Sequence, residues 1–382
     1  MTEPILRITL AQLADLPEGS FRLIDIRDEV SFEYGTMQGA ENMPDIVGAA
    51  ERNELPKDRK LVLFCMHGQQ SDEAALRLRE LGYDALSLED GYGGWLRARI
   101  AQCGDRSQEI ERTLIRRRAF REKLFSRFTK AVIQYELVKP GDRIAVCISG
   151  GKDSMLMAKL FQELKRQDKF PFELVFLVMD PGYNELNRLV IETNAAQLGV
   201  PVTIFETRVF DAVYQIEKSP CYLCARMRRG YLYSKARELG CNKIALGHHY
   251  DDVIETILMS MLWGGQVQTM MPKLHSQNFE GMELIRPMYL IREEDIKAWR
   301  DFHQLHFIQC ACHFTDTCSS CREDGVAVSK RMETKKLIRS LKEINPYVEG
   351  NIFHSVQNVN VDMLPAYKQH GIVHRFLDTY DE

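Results

Sequence analysis

The stretch RIAVCI-SGGKDS-MLMAKLFQELK (143–165) leaves the chain few ways to fold. An apolar, β-prone run feeds two glycines, and a helical pattern begins at once. A strand that turns directly into a helix opens a βαβ unit, and such units build parallel sheets covered by helices on both faces. Gly150 and Gly151 permit a tight turn whose amides can be aimed at an anion, and the helix N-terminus adds its positive dipole end. Lys152 supplies a mobile charge, Ser149 and Ser154 supply hydroxyls, and Asp153 sits among them. The spacing is not that of a Walker loop, which needs four residues between the first glycine and Gly-Lys.

The pattern continues downstream. ELVFLVM (173–179), PVTIFE (201–206) and KIALG (243–247) read as further strands between helical stretches. Ligands of such sheets gather outside the carboxyl ends of the strands. Asp180, ending LVMD, and His248, Asp251 and Asp252, in ALGHHYDD, are therefore expected in the same crevice as SGGKDS. The paired aspartates could hold Mg²⁺ together with phosphate oxygens, with Asp251 as the metal ligand; the plainer reading has Asp251 capping the next helix. DVIETILMSML (252–262) puts Val253, Ile257 and Met261 on one buried face.

A separate α/β pattern precedes this one. RLIDIR (22–27), LVLFC (61–65) and ALSL (85–88) read as short buried strands, and SDEAALRLRELGY (71–83) as a helix stopped by Gly82. GYGGWL (91–96) reads as a turn. The expected organisation is an N-terminal domain (1–104), a basic helical linker (105–136), a larger parallel-sheet domain (137–325) and a helical or irregular extension (326–382). A length of 382 residues suits two or three domains, and 45% hydrophobic with 27% charged residues reads as globular. No apolar run approaches the roughly 20 residues of a membrane span, and the first residues lack a basic signal region. A cytoplasmic protein without a membrane partner is expected.

The net charge of −4 hides a basic stretch. Residues 106–130 carry nine Arg and Lys against three Glu, which reads either as a nucleic-acid contact or as a solvated linker. Ten cysteines without a secretory signal point to metal or sulfur chemistry in a reducing compartment. Cys221 and Cys224 form a CxxC within PCYLCARMRRG, next to Arg226, Arg228 and Arg229; alone it could be redox-active, zinc-binding or half of an iron–sulfur site. Cys310, Cys312, Cys318 and Cys321 crowd a second segment. Cys65 ends a strand, where loop amides and a helix N-terminus would stabilise a thiolate or persulfide.

SGGKDS, followed by Asp180 and LGHHYDD, resembles the signature of the PP-loop ATP pyrophosphatase superfamily. PCYLCARMRRG, ALGHHYDDVIET, WGGQVQTMMPKL and LIRP follow in the order seen in tRNA 2-thiocytidine synthetases, the TtcA family, and the likeness runs from about 115 to 315. The resemblance implies ATP-dependent adenylation of a cytidine O2 in a tRNA anticodon loop and its replacement by sulfur. ATP would lie on Ser149, Gly150, Gly151, Lys152, Asp153, Ser154, Asp180, His248 and Asp252, with Asp153 catalytic. It also implies a 4Fe-4S cluster held by Cys221, Cys224 and a third cysteine, Cys310 in preference to Cys312. Cys312, Cys318 and Cys321 offer thiolates for a separate Zn²⁺ site. Arg226, Arg228 and Arg229, with Arg116 and Arg117 of the basic stretch, would clamp the tRNA. LIDIRDEVSFEYGTMQGAENMP (23–44), Cys65 and GYGGW resemble a rhodanese domain, although Gln70 stands where an Arg is usual and Thr36 where a His is common. That implies a persulfide on Cys65, loaded by a cysteine desulfurase. The rival readings are a tRNA 2-thiouridine synthetase, a cluster-dependent thiouracil desulfidase, and a non-enzymatic sulfur carrier or redox sensor. Oligomeric state, a homodimer included, stays open.

Overall fold

The computed structural model describes residues 6–102, 104–214, 220–307 and 330–380. The first sheet holds β1 (Arg7–Ile8), β2 (Phe21–Asp25), β3 (Glu41–Asn42), β4 (Lys60–Phe64) and β5 (Ala85–Leu88), in the order β1-β5-β4-β2-β3. All its pairings are parallel. Its helices are α1 (Leu10–Ala14), α2 (Glu29–Tyr34), α3 (Ile46–Glu51), α4 (Gln69–Glu80) and α5 (Gly91–Ala101). Gly82 follows the end of α4 at φ +81°, the left-handed position that favours glycine. GYGGWL, expected as a turn, instead starts α5. Its glycines serve close packing: a Cβ on Gly91 would lie 2.4 Å from the Cys65 carbonyl oxygen.

The basic stretch is helical but broken. α6 (Ser107–Arg116) ends where Arg117 turns extended, at φ −73° and ψ 111°. α7 (Arg118–Phe120), a π-helical turn over Arg121–Phe125, and α8 (Ser126–Gln134) then follow.

The second sheet holds β6 (Arg143–Ile148), β7 (Glu173–Asp180), β8 (Val202–Glu206), β9 (Lys243–Ala245), β10 (Lys273–His275) and β11 (Glu283–Ile285), in the order β10-β11-β9-β6-β7-β8. Only β10 runs antiparallel to its neighbour. The helices here are α9 (Lys152–Arg166), α10 (Glu185–Gln197), α11 (Val209–Tyr214), α12 (Pro220–Glu238), α13 (Tyr250–Gly264) and α14 (Glu293–Phe302). From β6 the chain adds strands on one side through β7 and β8, then returns to place β9 on the other. The β6/β9 boundary is thus the topological switch point, where a crevice opens at the strand ends.

Side chains of β6 alternate with the strand's two-residue period. Ile144, Val146 and Ile148 join one core with Phe128, Leu156, Phe161 and Trp299, while Ala145 and Cys147 join Tyr233, Ala236 and Ile244 on the opposite face. The first of these cores also contains Val62 and Phe64 of β4, so the two sheets share a hydrophobic interior. On α13, Val253 and Ile257 are buried as expected, but Met261 is 48% exposed, because the helix runs past the body it packs on. The C-terminal region adds α15 (Lys330–Ile344), α16 (Val348–Ser355) and a hairpin of β12 (Ala366–Gln369) and β13 (Ile372–Arg375). The hairpin differs from the expected helical or irregular extension because its strands are short and lack a buried face; the His370-Gly371 turn, both at positive φ, is its local signal. Among the described residues no helix is long and apolar enough to cross a membrane.

Candidate active site

A cavity of about 340 Å³ opens at the switch point. Ser149, Asp153 and Ser154 line it from the β6 exit, Leu246, Gly247 and His248 from the β9 exit, Asp252 from the start of α13, and Arg228, Arg229 and Leu232 from α12. The hexapeptide has the geometry its glycines permit: Gly150 lies at φ +85°, and the Ser149 amide donates to Ser154 Oγ at 3.1 Å. Gly247 lets the β9 loop approach closely, since a Cβ there would stand 3.2 Å from the Ser154 amide nitrogen. One Asp153 oxygen, Oδ1, is buried and accepts no hydrogen bond, but the Lys152 ammonium stands 3.2 Å from it, so a cation or a substrate proton there would share the carboxylate with Lys152.

The flanking charges are fixed by local contacts. Asp252 accepts the His249 amide at 3.0 Å and pairs with Arg331 at 3.1 Å. Burial works against its charge, but His249 and Arg331 hold its carboxyl below the usual range. His248 is driven the other way: burial, with Arg286 and Arg331 nearby, lowers its pKa to about 4, so it faces the cavity as neutral imidazole.

Besides Gly150 and Gly151, three expected ligands with functional side chains sit outside the cavity lining. Lys152 turns its side chain, 4% exposed, between Asp153 and Glu293, each at 3.2 Å, with the Tyr34 ring 5.3 Å away. Burial alone would lower its pKa; the two carboxylates raise it. Tyr34 comes from α2, so the first domain packs directly behind the phosphate loop, and Arg300 donates to the Tyr34 carbonyl at 2.6 Å. Asp180 accepts the Gly182 and Tyr183 amides and pairs with Arg188 at 2.6 Å. Asp251 faces Arg292 at 3.1 Å and the Glu293 amide at 2.6 Å, as the end of a neighbouring charged pocket. Glu293, Tyr34, Arg331 and Arg286 were not foreseen. Only Arg286 had a sequence signal, standing in the LIRP motif.

Cys221 and Cys224 lie three residues apart at the start of α12, one turn before the cavity-lining Arg228. A CxxC at a helix start supplies the residue types that ligate iron through thiolates. Cys310, Cys312, Cys318 and Cys321 lie outside the described residues. Among the described residues no cluster of three or more His, Cys, Asp or Glu is placed to hold a metal. Arg226 is exposed on α12; Arg116 and Arg117 are exposed on the broken basic helix, with the Arg117 guanidinium 4.1 Å over the Phe302 ring.

Cys65 follows β4 and is buried. Its Sγ accepts the Gly68 amide at 3.1 Å and lies 3.6 Å from Ser71 Oγ. The start of α5 closes the loop, with the Tyr92 amide donating to the Cys65 carbonyl and the Gly93 amide to that of Met66. Thr36 donates to Asp25, which also pairs with Arg27 at 2.6 Å. α5 packs on α10, and Trp95 meets His306 edge-on at 4.9 Å, so this loop too adjoins the second domain.

Two family models match: a PP-loop domain over residues 119–314 and a rhodanese-like domain over 9–98. A tRNA-cytidine(32) 2-sulfurtransferase from Anaeromyxobacter dehalogenans (strain 2CP-C) is 34% identical over 258 residues, covering 67% of this chain and 84% of the relative. The enzyme of the same name from Alkalilimnicola ehrlichii is 36% identical over 235 residues, covering 60% of this chain and 70% of the relative. Among solved structures, the U34-tRNA thiolase NcsA from Methanococcus maripaludis with its 4Fe-4S cluster matches at TM-score 0.48 and 20% identity, over 61% of this chain and 76% of that one.

Proposed function

This chain belongs to the PP-loop family of tRNA 2-sulfurtransferases, carrying a rhodanese-like domain ahead of the PP-loop domain, and from that premise we propose that it converts a tRNA cytidine to 2-thiocytidine at the cost of ATP. The observation that carries the proposal is the shared cavity: the phosphate loop, a neutral histidine and the arginines of the CxxC helix all border one space. ATP phosphates are received by the loop amides that follow Ser149, whose own amide is held by Ser154 Oγ, and Asp153, faced by Lys152, is the loop carboxylate suited to Mg²⁺ on them. Asp251 is satisfied by Arg292 and the Glu293 amide, and the capping partner at the start of α13 is Asp252 instead.

The cytidine O2 attacks the α-phosphorus and pyrophosphate leaves; sulfur then adds at C2 and AMP departs with the oxygen. Arg228 offsets the charge that develops on the phosphates, and the neutral His248 can hydrogen-bond the base without adding charge. Cys221, Cys224 and a third cysteine, Cys310 by its sequence position, would hold a 4Fe-4S cluster, which when bound supplies an open iron position for hydrosulfide. Cys65 carries a persulfide, its anion stabilised by the Gly68 amide. With ATP, tRNA and sulfide supplied anaerobically, Asp153→Asn should lose tRNA-dependent AMP release by about a hundredfold. Undiminished AMP release would remove Asp153 and the phosphate loop from the reaction.

A further inference from the structure

Arg286 is the first residue after β11 and leaves the sheet on the same carboxyl edge as the histidine loop. The Leu246 amide bonds the Ile285 carbonyl at 3.0 Å, holding the two strand exits side by side. The arginine is only 6% exposed. Its Nη1 donates to the Met271 carbonyl, while Nε is buried and has no hydrogen-bond partner. Among the described residues no carboxylate is in ion-pair contact with it. Asp252, whose charge reaches it, is already held by Arg331 and the His249 amide. Burial, and then the neighbouring Arg229, pull its pKa down to about 10. A buried guanidinium lacking its anion is a costly element for a fold to keep. Arg229 makes the field more positive.

We propose that Arg286, with Arg229, holds one backbone phosphate of the RNA substrate, beside the nucleoside whose base enters the cavity. The inference rests on the tRNA-thiolation reading and adds a residue to it. A guanidinium edge suits a phosphate through charge and paired donors. The RNA is favoured over the nucleotide as the source of that phosphate by the strand order. The nucleotide's loop follows β6, whereas β11 lies two strands away, roughly 10 Å at ordinary strand spacing. Arg229 comes from the CxxC helix rather than from the loop.

The test uses the full chain and an anticodon stem-loop RNA with single neutral methylphosphonate linkages flanking the target cytidine. One linkage should weaken wild-type binding by about tenfold. Arg286→Gln should show that same loss on unmodified RNA and none further at that linkage, while binding of a fluorescent ATP analogue without RNA stays unchanged. Arg286→Lys, which keeps the charge and guards against a folding artefact, should recover part of the affinity and the linkage dependence. Weaker ATP-analogue binding with RNA binding intact would assign the phosphate to the nucleotide and overturn the inference. Loss of RNA affinity without coupling to any linkage, or no loss, would reduce Arg286 to a structural role and overturn it too. Wild-type protein that thiolates RNA but shows no coupling defeats this inference alone, whereas wild type that thiolates nothing defeats the parent reading.

Discussion

At the scale of single residues, the Cys65 sulfur accepts an amide hydrogen bond at 3.1 Å and lies behind a loop closed by α5. A persulfide there gains an anion-stabilising donor. Gln70, exposed at the loop's end, adds no cation that would favour a small anionic donor such as thiosulfate. Cys65→Ala is therefore expected to abolish thiolation fed by a cysteine desulfurase and cysteine, while thiolation fed by free sulfide persists near the wild-type rate. Both donors should be compared on one tRNA preparation; equal activity of mutant and wild type with the desulfurase would leave the domain a docking role only. Lys152 gives a second prediction. Its ammonium lies between Asp153 and Glu293 in a nearly sealed site, so Lys152→Ala leaves Asp153 without its close lysine and Glu293 with Lys335 alone at short range. Breaking a buried pair in this way costs about 3–5 kcal/mol. Adding Glu293→Gln should return part of that stability, because one of the two like charges left facing each other goes with it. Strictly additive losses in denaturant melts would show that the two side chains do not act as a pair.

At the scale of elements, what was readable in the sequence was whatever a single segment determines. RIAVCI and the glycines of SGGKDS announced β6, its turn and α9, because apolar period and turn chemistry are local. The four main strands of the second sheet and their helices were legible for the same reason. Side-chain direction was not. Lys152, Asp180 and Asp251 all sit at strand or helix ends facing the crevice by position, yet each is claimed by a partner distant in sequence or by its own turn: Glu293, Arg188 and Arg292. Tyr34 is the plainest case. Nothing in FEYGT hints that its ring stands behind a phosphate loop more than a hundred residues later, since that contact exists only once the two sheets share a core. GYGGW misled in the opposite sense. Its glycines looked like a turn, but they allow α5 to start against the Cys65 carbonyl.

For the whole molecule, the packing of one sheet system on the other sets both stability and chemistry. His306 lies at this seam against Trp95, and His303 lies where α14 meets the basic helices, with Nε2 2.8 Å from Thr113 Oγ1. Burial, with Arg106 near His303 and Arg99 near His306, lowers both pKa values to about 4, as burial does for His248. Between pH 6.5 and 4 these histidines take up protons in the unfolded chain before the folded one, so stability falls as pH drops through that window. Glu255, raised by burial to about 7, runs the other way and loses its contribution as pH rises towards 7. With three groups against one, thermal melts from pH 7 down to pH 4.5 should show a falling midpoint; a flat or rising one would mean the histidines are not buried neutral. The central claim is that one cavity joins ATP activation to sulfur delivery on a tRNA cytidine. Nucleoside mass spectrometry of tRNA incubated anaerobically with iron–sulfur-reconstituted protein, sulfide and ATP, with AMP counted in the same reaction, tests it most directly. The account predicts 2-thiocytidine only when ATP is present, with one AMP released per thiolated base; thiolation without ATP, 2-thiouridine in its place, or AMP release without a sulfur-containing nucleoside would contradict it.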